Sequence, residues 1–130
     1  IRRQRQMCIR DRSNLLLTNN HLCSFLDFEL SEINIRIFDL AYFSTAVLSE
    51  SFTDNTPVLD NWFAIYKNLI DGYHETNPLT KEEKQALPYV IFSVQLLCIA
   101  YFSQFDKYEE LTKINIDMLQ WLIRNRRKLE

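Results

Sequence analysis

Helical periodicity from Ile35 to the end of the chain constrains the fold more than any other sequence feature. Apolar side chains recur there at steps of three and four residues, which places them on one face of an α-helix. A first helix is expected to end at 50–52, before polar residues 53–56, and a second presents Trp62 and Tyr66 on its apolar face. The sequence therefore predicts a mainly α-helical chain of four to five helices.

Local signals mark the helix boundaries. Thr80 and Glu83 match the capping box, in which each side chain accepts a bond from the other residue's backbone N–H. A second such pattern at 106–109 predicts the start of the last helix. Pro57 suits the first turn of the second helix, after a cap at 55 or 56, whereas Pro88 predicts a kink or a fresh start in the third.

The later helices differ in their polarity. The segment 90–105 carries no charged residue and is apolar on nearly all sides, so it is expected to be the most buried element. The basic residues of 124–128 suit the carboxyl end of the last helix, where the helix dipole favours cations.

A β-hairpin over about 15–28 is predicted before the helices. Two short apolar runs flank residues 18–21, which have the composition of a turn. Antiparallel pairing brings Asn14 and Asp27 to the same end of this hairpin. An amide oxygen and a carboxylate suit a hard cation such as Mg²⁺, as in phosphoryl-transfer sites. Both residue types are also ordinary turn residues, and the spacing alone leaves both interpretations open.

Composition places the chain among globular domains. Its 130 residues are 47% hydrophobic and 13% aromatic, which is enough for a packed core within one domain or part of one. The longest apolar run, 90–102, is interrupted by Ser93 and Gln95 and falls short of the roughly 18 residues that span a bilayer. No secretory signal is evident, and three cysteines without metal-like spacing favour a reducing compartment. We therefore expect a cytoplasmic protein without a membrane partner.

Charge is distributed unevenly along the chain. Residues 1–12 carry five Arg and one Asp, so the net charge of −2 leaves −6 for the remaining 118 residues. A basic head could contact nucleic acid, but the acidic body offers no basic groove to continue the contact, and no nucleic-acid partner is expected. Residues 1–12 also closely resemble a peptide translated from sequencing-adapter DNA. This segment is therefore expected to be a non-native scar, disordered or irregular, with the domain proper at 13–130.

Three segments in order carry a family resemblance: 13–17 (SNLLL), 25–31 (FLDFELS) and 34–41 (NIRIFDLA). Together they resemble the aminoglycoside phosphotransferase family, which includes choline, homoserine and similar small-molecule kinases. The resemblance continues through the helices and covers essentially all of 13–130. It implies that this chain is the truncated, helical carboxyl-terminal lobe of a protein-kinase-like α+β fold. The chain itself would be mainly α, with a short amino-terminal β-hairpin.

The resemblance also implies roles for individual residues. Asn14 and Asp27 match the two metal ligands, which hold Mg²⁺ across the phosphates of ATP, and Asp39 matches an acid that braces the catalytic loop. The family's catalytic Asp is expected five residues before Asn14, so Asp11 does not match, and no catalytic residue is assigned within this chain. The Gly-rich amino-terminal lobe that completes the nucleotide cleft is missing as well. The implied parent is an ATP- and Mg²⁺-dependent kinase acting on a hydroxyl of an amino alcohol or aminoglycoside-like acceptor, and this chain alone is expected to be inactive.

Acidic residues of this lobe are candidates for binding a cationic acceptor. They are Glu29, Glu32, Glu50, Asp54 and Asp60. For each of them a solvated surface position is the simpler alternative.

A second function class is compatible with the same sequence. A small non-enzymatic helical interaction module with a basic amino-terminal arm accounts for the Arg-rich head and the aromatic-rich helices. It leaves the order Asn14, Asp27, Asp39 as coincidence. An open reading frame upstream of Ser13 that encodes His-x-Asp and an ATP-binding lobe would decide for the kinase.

Overall fold

A computed structural model of the chain describes residues 3–6, 15–25, 32–52 and 58–130. Within these ranges the elements are the strands β1 (Arg3–Gln6), β2 (Leu15–Thr18), β3 (His21–Phe25) and β4 (Glu32–Ile35), and the helices α1 (Phe38–Phe52), α2 (Val58–Thr76), α3 (Lys81–Phe102) and α4 (Glu109–Arg124). Short 3₁₀ helices at Asp106–Tyr108 and Arg126–Lys128 flank α4. The predicted class, mostly helical with a short amino-terminal hairpin, is confirmed.

The hairpin of β2 and β3 forms where the sequence predicts it. Leu15 pairs with Phe25 at its open end, and Thr18 pairs with His21 next to the turn. Asn19 and Asn20 make the two-residue turn with φ angles of 51° and 63°. Asn tolerates this left-handed conformation because its short polar side chain bonds locally, and two positive φ angles match the twist of a tight hairpin.

A second strand pair joins the start of the chain to the segment before α1. β1 is antiparallel to β4, with Arg3 opposite Ile35 and Gln6 opposite Glu32. The expectation of a disordered or irregular segment over 1–12 is therefore wrong for residues 3–6. Extended backbone pairs through its N–H and C=O groups, and the absence of Pro in 1–12 leaves those groups able to pair with β4. The non-native origin of 1–12 stays a prediction.

Helices α1 and α2 pack together and bury the faces that the periodicity predicts. Leu40, Ala41 and Leu48 of α1 are buried, as are Trp62 and Tyr66 of α2. The Trp62 indole N–H donates to the carbonyl of Ser44 at 2.8 Å, which satisfies its polar group inside the core. The predicted cap of α2 at 55–56 lies outside the described residues.

The capping box at the start of α3 is confirmed. Thr80 Oγ1 accepts from Glu83 N at 3.2 Å, and Glu83 Oε2 accepts from Thr80 N at 2.8 Å. The fresh helix start predicted at Pro88 is wrong, because α3 runs unbroken through it. Pro88 is fully buried beside Leu87, and this burial offsets the one backbone bond that a proline removes.

Only one face of α3 is buried, so the prediction that 90–105 is the most buried element is wrong. Ile91 and Val94 are buried, whereas Tyr89, Leu96 and Leu97 are each more than half exposed. By length and composition alone α3 could cross a membrane, with a mean hydropathy of 1.6 over 18 residues, although the core helix of a folded domain passes the same test.

Helix α4 closes the bundle against α3 and α1 through Met118 and Leu122. The second capping box predicted at 106–109 is not formed. Residues Asp106–Tyr108 make a 3₁₀ turn instead, and α4 begins at Glu109 without a side-chain cap. Edge-to-face contacts of Tyr108 with Phe102 and Phe105 stabilise this turn.

The basic carboxyl end lies on the surface, as the sequence predicts. Arg126 pairs with Glu130 at 3.1 Å and lies over the ring of Tyr89, while Lys128 lies over Phe63. Leu129, which follows Lys128, is buried, and its carbonyl accepts from the Tyr66 hydroxyl at 3.2 Å. Burial raises the pKa of that hydroxyl well above its ordinary value.

Candidate functional site

Several predicted site residues lie outside the described residues. These are both metal ligands, Asn14 and Asp27, and the acceptor candidates Glu29 and Asp54. Of the other acceptor candidates, Glu32 lies in β4, Asp60 in the first turn of α2 and Glu50 near the end of α1. Among the described residues no three His, Cys, Asp or Glu side chains cluster to hold a metal, which leaves the predicted Mg²⁺ site untested.

Asp39 is the second residue of α1 and is half-buried. Burial raises the pKa of its carboxyl to about 6, since desolvation disfavours the charged form. The positive end of the helix dipole favours the carboxylate, so desolvation outweighs the dipole here. None of the described residues forms a hydrogen bond or ion pair with this carboxylate. Its predicted role in bracing a catalytic loop stays a prediction.

A buried ion pair fixes the chain just before Asp39. Arg36 is only 2% exposed, and its Nε donates to Glu83 Oε1 at 2.7 Å, while its Nη2 pairs with the second oxygen of the same carboxylate. The guanidinium also donates to Asn77 Oδ1 at 2.6 Å and to the carbonyl of Pro78 at 2.7 Å. The bidentate bonds to Glu83 raise the pKa of Arg36. Four bonds therefore join the entrance of α1 to the rest of the fold, two to the loop between α2 and α3 and two to the first turn of α3.

The loop that receives Arg36 is itself held in place. His74 Nδ1 accepts from the backbone N–H of Leu79 at 2.9 Å, and Asn77 Nδ2 donates to the Tyr73 hydroxyl at 3.0 Å. His74 thus helps to hold the loop between α2 and α3. Glu83 bonds both Arg36 and Thr80 N, so the start of α1 and the start of α3 share one carboxylate.

Sequence reasoning missed the role of Arg36, although it identified Glu83 as a capping residue. The signal was a single cation between Ile35 and Ile37 in an otherwise apolar segment. A charged residue in such a place is almost never buried without a partner. The partner is 47 residues away in the sequence and belongs to a different element, so local pattern does not identify it.

A groove lies between α1, α3 and α4. Its volume is about 450 Å³, within the range of small-molecule sites. Among the described residues that line it, Glu50 is the one charged residue, and the aromatic rings of Tyr42 and Phe102 contribute to its walls. Glu50 is one of the predicted acceptor-binding residues, so this groove is a candidate site for the acceptor.

Polar side chains lie at the floor of this groove. Gln95 is 1% exposed and donates from Nε2 to Asn115 Oδ1 at 3.1 Å. Asn115 in turn donates to the carbonyl of Leu111 at 2.7 Å. Thr45 is buried in the opposite wall, on α1. Buried polar groups between packed helices form either a structural network or the contact surface of a polar ligand.

Comparisons with protein-family models, with curated proteins and with solved structures give no match to this chain. The aminoglycoside phosphotransferase family is therefore a resemblance carried by the three amino-terminal segments and the helices that follow them.

Proposed function

We propose that residues 13–130 are part of the helical carboxyl-terminal lobe of an ATP- and Mg²⁺-dependent small-molecule kinase. The parent enzyme would transfer the γ-phosphate of ATP to a hydroxyl of an amino alcohol or aminoglycoside-like acceptor. The observation that carries the proposal is the order of elements: a tight hairpin, a further strand, and then a helix whose second residue is the half-buried acid Asp39. This order agrees with the resemblance, in which that acid braces the loop bearing the metal ligand.

The pairing at the open end of the hairpin supports the proposed metal site. Leu15 is opposite Phe25. Asn14 is the residue before Leu15, and Asp27 is the second residue after Phe25. Consecutive Cα atoms are about 3.8 Å apart, so neither residue is far along the chain from the paired ends. An amide oxygen and a carboxylate are ligands that suit Mg²⁺, which in such enzymes neutralises the charge of the transferring phosphate.

The role proposed for Asp39 is to orient the segment that bears Asn14. Arg36 and Glu83 support this role by fixing the backbone three residues earlier. Both are positioning residues in this proposal, because neither is expected to contact ATP or the acceptor.

Turnover measurements test the proposal in two steps. The 130-residue chain, with ATP, Mg²⁺ and a panel of amino alcohols and aminoglycosides, is expected to give no phosphate transfer, because no catalytic Asp is assigned within it. The coding DNA upstream of Ser13 is expected to continue in frame and to encode His-x-Asp, with that Asp five residues before Asn14. Turnover by the 130-residue chain, or an upstream frame without that pair, would contradict the assignment.

One observation favours the alternative of a non-enzymatic interaction module. The outer face of α3 exposes Tyr89, Leu96, Leu97 and Tyr101, and isolated domains seldom leave so many neighbouring apolar side chains uncovered. The DNA sequence distinguishes the two functions. The interaction module requires a natural start codon followed by native Arg codons, whereas the kinase requires an upstream frame that encodes a nucleotide-binding lobe.

A further inference from the structure

We propose that the outer face of α3 is the contact surface of a symmetric dimer, in which the α3 helices of two copies of this chain pack antiparallel. The proposal rests on the exposed side chains of α3 and on the charges beyond its two ends. It does not depend on the proposed kinase activity or on the predicted Mg²⁺ site, so either proposal can fail without the other.

The outer face carries a continuous uncharged stripe. Its exposed members recur at helical spacing and are Tyr89, Ser93, Leu96, Leu97, Ala100 and Tyr101. The four aromatic and leucine side chains among them are each more than half exposed. No Asp, Glu, Lys or Arg occurs from residue 85 to residue 105. The stripe therefore suits an apolar partner that brings no charge to its centre.

The spacing of the stripe is that of a seam between two helices. Tyr89, Ser93, Leu96 and Ala100 follow one another at steps of four, three and four residues. This is the spacing at which side chains of one helix pack between those of another in a coiled coil. Large and small side chains alternate along the seam.

This alternation makes the seam complementary to a reversed copy of itself. With the two-fold axis level with residues 94 and 95, Tyr89 lies opposite Ala100 of the second copy, and Ser93 lies opposite Leu96 of the second copy. Each large side chain thus faces a small one, as close packing requires. A parallel pair in register would place Tyr89 against Tyr89 and leave a gap between the two Ser93 side chains. A two-fold interface needs a self-complementary surface of this kind.

Polar groups in and next to the stripe can be covered without losing their hydrogen bonds. The Ser93 hydroxyl donates to the carbonyl of Tyr89 at 2.9 Å. Gln104 Nε2 donates to the carbonyl of Ala100 at 2.9 Å. Because both donors have acceptors within their own chain, contact with an apolar surface leaves neither of these bonds unmade.

Charges beyond the two ends of the stripe favour the antiparallel orientation. The cavity beside Tyr89, at the amino end, has three cationic side chains and one acidic side chain among its described lining residues: Lys81, Lys84, Arg126 and Glu130. The carboxyl end is followed by three acids and one cation: Asp106, Lys107, Glu109 and Glu110. Antiparallel packing brings the basic end of each copy to the acidic end of the other, whereas parallel packing would bring like ends together.

The exposed area of the stripe sets the strength of the dimer. A half-exposed aromatic or leucine side chain presents about 100 Å², so covering the stripe on both copies removes about 1,000 Å² from water. This value is near the lower limit for a specific interface. We therefore expect a weak, reversible dimer with a Kd of about 10–100 µM.

Sedimentation equilibrium and NMR of the full chain test the proposal. From about 2 to about 500 µM, we expect a monomer–dimer equilibrium with a Kd in that range. Isotope-filtered NOE spectra of mixed ¹³C-labelled and unlabelled chains are expected to show contacts between Tyr89 of one copy and Ala100 of the other. A chain that stays monomeric, a larger assembly, or intermolecular contacts between the two Tyr89 rings would overturn the proposal.

A matched pair of variants locates the interface. Leu96→Glu places a carboxylate on each side of the two-fold axis and is expected to weaken the dimer at least about tenfold. The control is Ile65→Glu, an exposed apolar position on α2, which is expected to leave the Kd unchanged. Circular dichroism checks that both variants are folded, and the NOE contacts of the unsubstituted chain do not depend on either. Equal effects of the two substitutions would overturn the role of the outer face.

Phosphatidylcholine vesicles test a lipid surface as the other occupant of this face. Because the dimer covers the stripe, we expect no cosedimentation of the chain with these vesicles at about 200 µM, above the expected Kd. A chain that stays monomeric and binds the vesicles, with binding lost in Leu96→Glu, would assign the face to a membrane and overturn the dimer.

Discussion

The buried Arg36–Glu83 pair gives the most specific prediction about stability. Glu83→Gln keeps the side-chain shape and an oxygen for the capping box, since Gln also serves at that position. It removes the negative charge opposite a guanidinium that is 2% exposed. The substitution therefore isolates the loss of charge from the loss of the helix cap.

The magnitude follows from what Arg36 loses. Its Nε and Nη2 both face the carboxylate of Glu83, and the acceptors left to it after the substitution are neutral, among them the oxygens of Asn77 and Pro78. Removing one partner of a buried ion pair is unfavourable by about 3–5 kcal/mol, because the other charge stays buried and uncompensated. We expect Glu83→Gln to lower the free energy of unfolding by about 3 kcal/mol, near the lower end because two neutral acceptors remain.

The assay is urea unfolding followed by circular dichroism, with Glu82→Gln as the matched control. Glu82 is the exposed neighbour in the same first turn. Hydrogen bonds to its own backbone and to Thr80 lower its pKa, so its substitution is expected to lower the unfolding midpoint slightly and far less than Glu83→Gln does. The double variant Arg36→Met, Glu83→Gln removes both charges, keeps the capping box and is expected to be less destabilised than Glu83→Gln alone. A loss below about 1 kcal/mol in Glu83→Gln, or a double variant less stable than the single one, would refute the reasoning.

Three further predictions follow from the helix starts and the amino terminus. The pKa of Asp39 in the folded chain is about 6, above its ordinary value of 3.8, so its contribution to stability increases as the pH falls from 7 to 4. Asp39→Asn should remove that pH dependence. An NMR titration that gives a pKa near 3.8 for Asp39 would contradict this. Thr80→Ala should lower the free energy of unfolding in urea by about 1 kcal/mol, because it removes the side-chain cap of α3. Thr76→Ala, at an exposed position at the end of α2, should not lower it. Equal effects of the two substitutions would argue against the capping box. Deletion of residues 1–12 removes β1, the element that the structure describes within this segment. It should change the unfolding free energy by less than about 1 kcal/mol, because a lone two-stranded pair is marginally stable. A larger loss would argue against the non-native origin of the segment.

Features governed by local chemistry could be predicted from the sequence. The capping box at Thr80 and the apolar face of α2 depend on residues within a few positions of one another, and both are present. The hairpin turn at Asn19 and Asn20 belongs to the same group, because Asn adopts positive φ at little energetic cost.

Features that depend on the surroundings of a segment could not be predicted. The charge-free segment 90–105 was expected to be the most buried element, yet α3 buries only the face that includes Ile91 and Val94. Pro88 breaks an isolated helix but is accommodated where both it and Leu87 are buried. At 106–109 the capping pattern competes with a 3₁₀ turn that packs three aromatic rings, and the ring contacts prevail.

The candidate site divides in the same way. Glu50 was predicted as a binding residue from its charge, and it lines the groove. Thr45, one turn earlier in α1, and Gln95 of α3 line the groove as well, but no local sequence pattern indicates this. Arg36 and Glu83 meet across 47 residues, a pairing that no helical or strand period encodes. Long-range pairs of this kind become visible only once the helices are packed.

Paramagnetic broadening by Mn²⁺ tests the central claim most directly, because Mn²⁺ takes the same oxygen ligands as Mg²⁺. In the ¹⁵N-labelled chain, substoichiometric Mn²⁺ is expected to broaden the amides of Leu15 and Phe25 far more than those of Asn19 and Asn20. The turn lies about 10 Å farther along strands that rise about 3.3 Å per residue, and Asp27→Asn should abolish the difference. Uniform broadening, broadening strongest at the turn, or a pattern unchanged by Asp27→Asn would contradict a metal site at the open end of the hairpin.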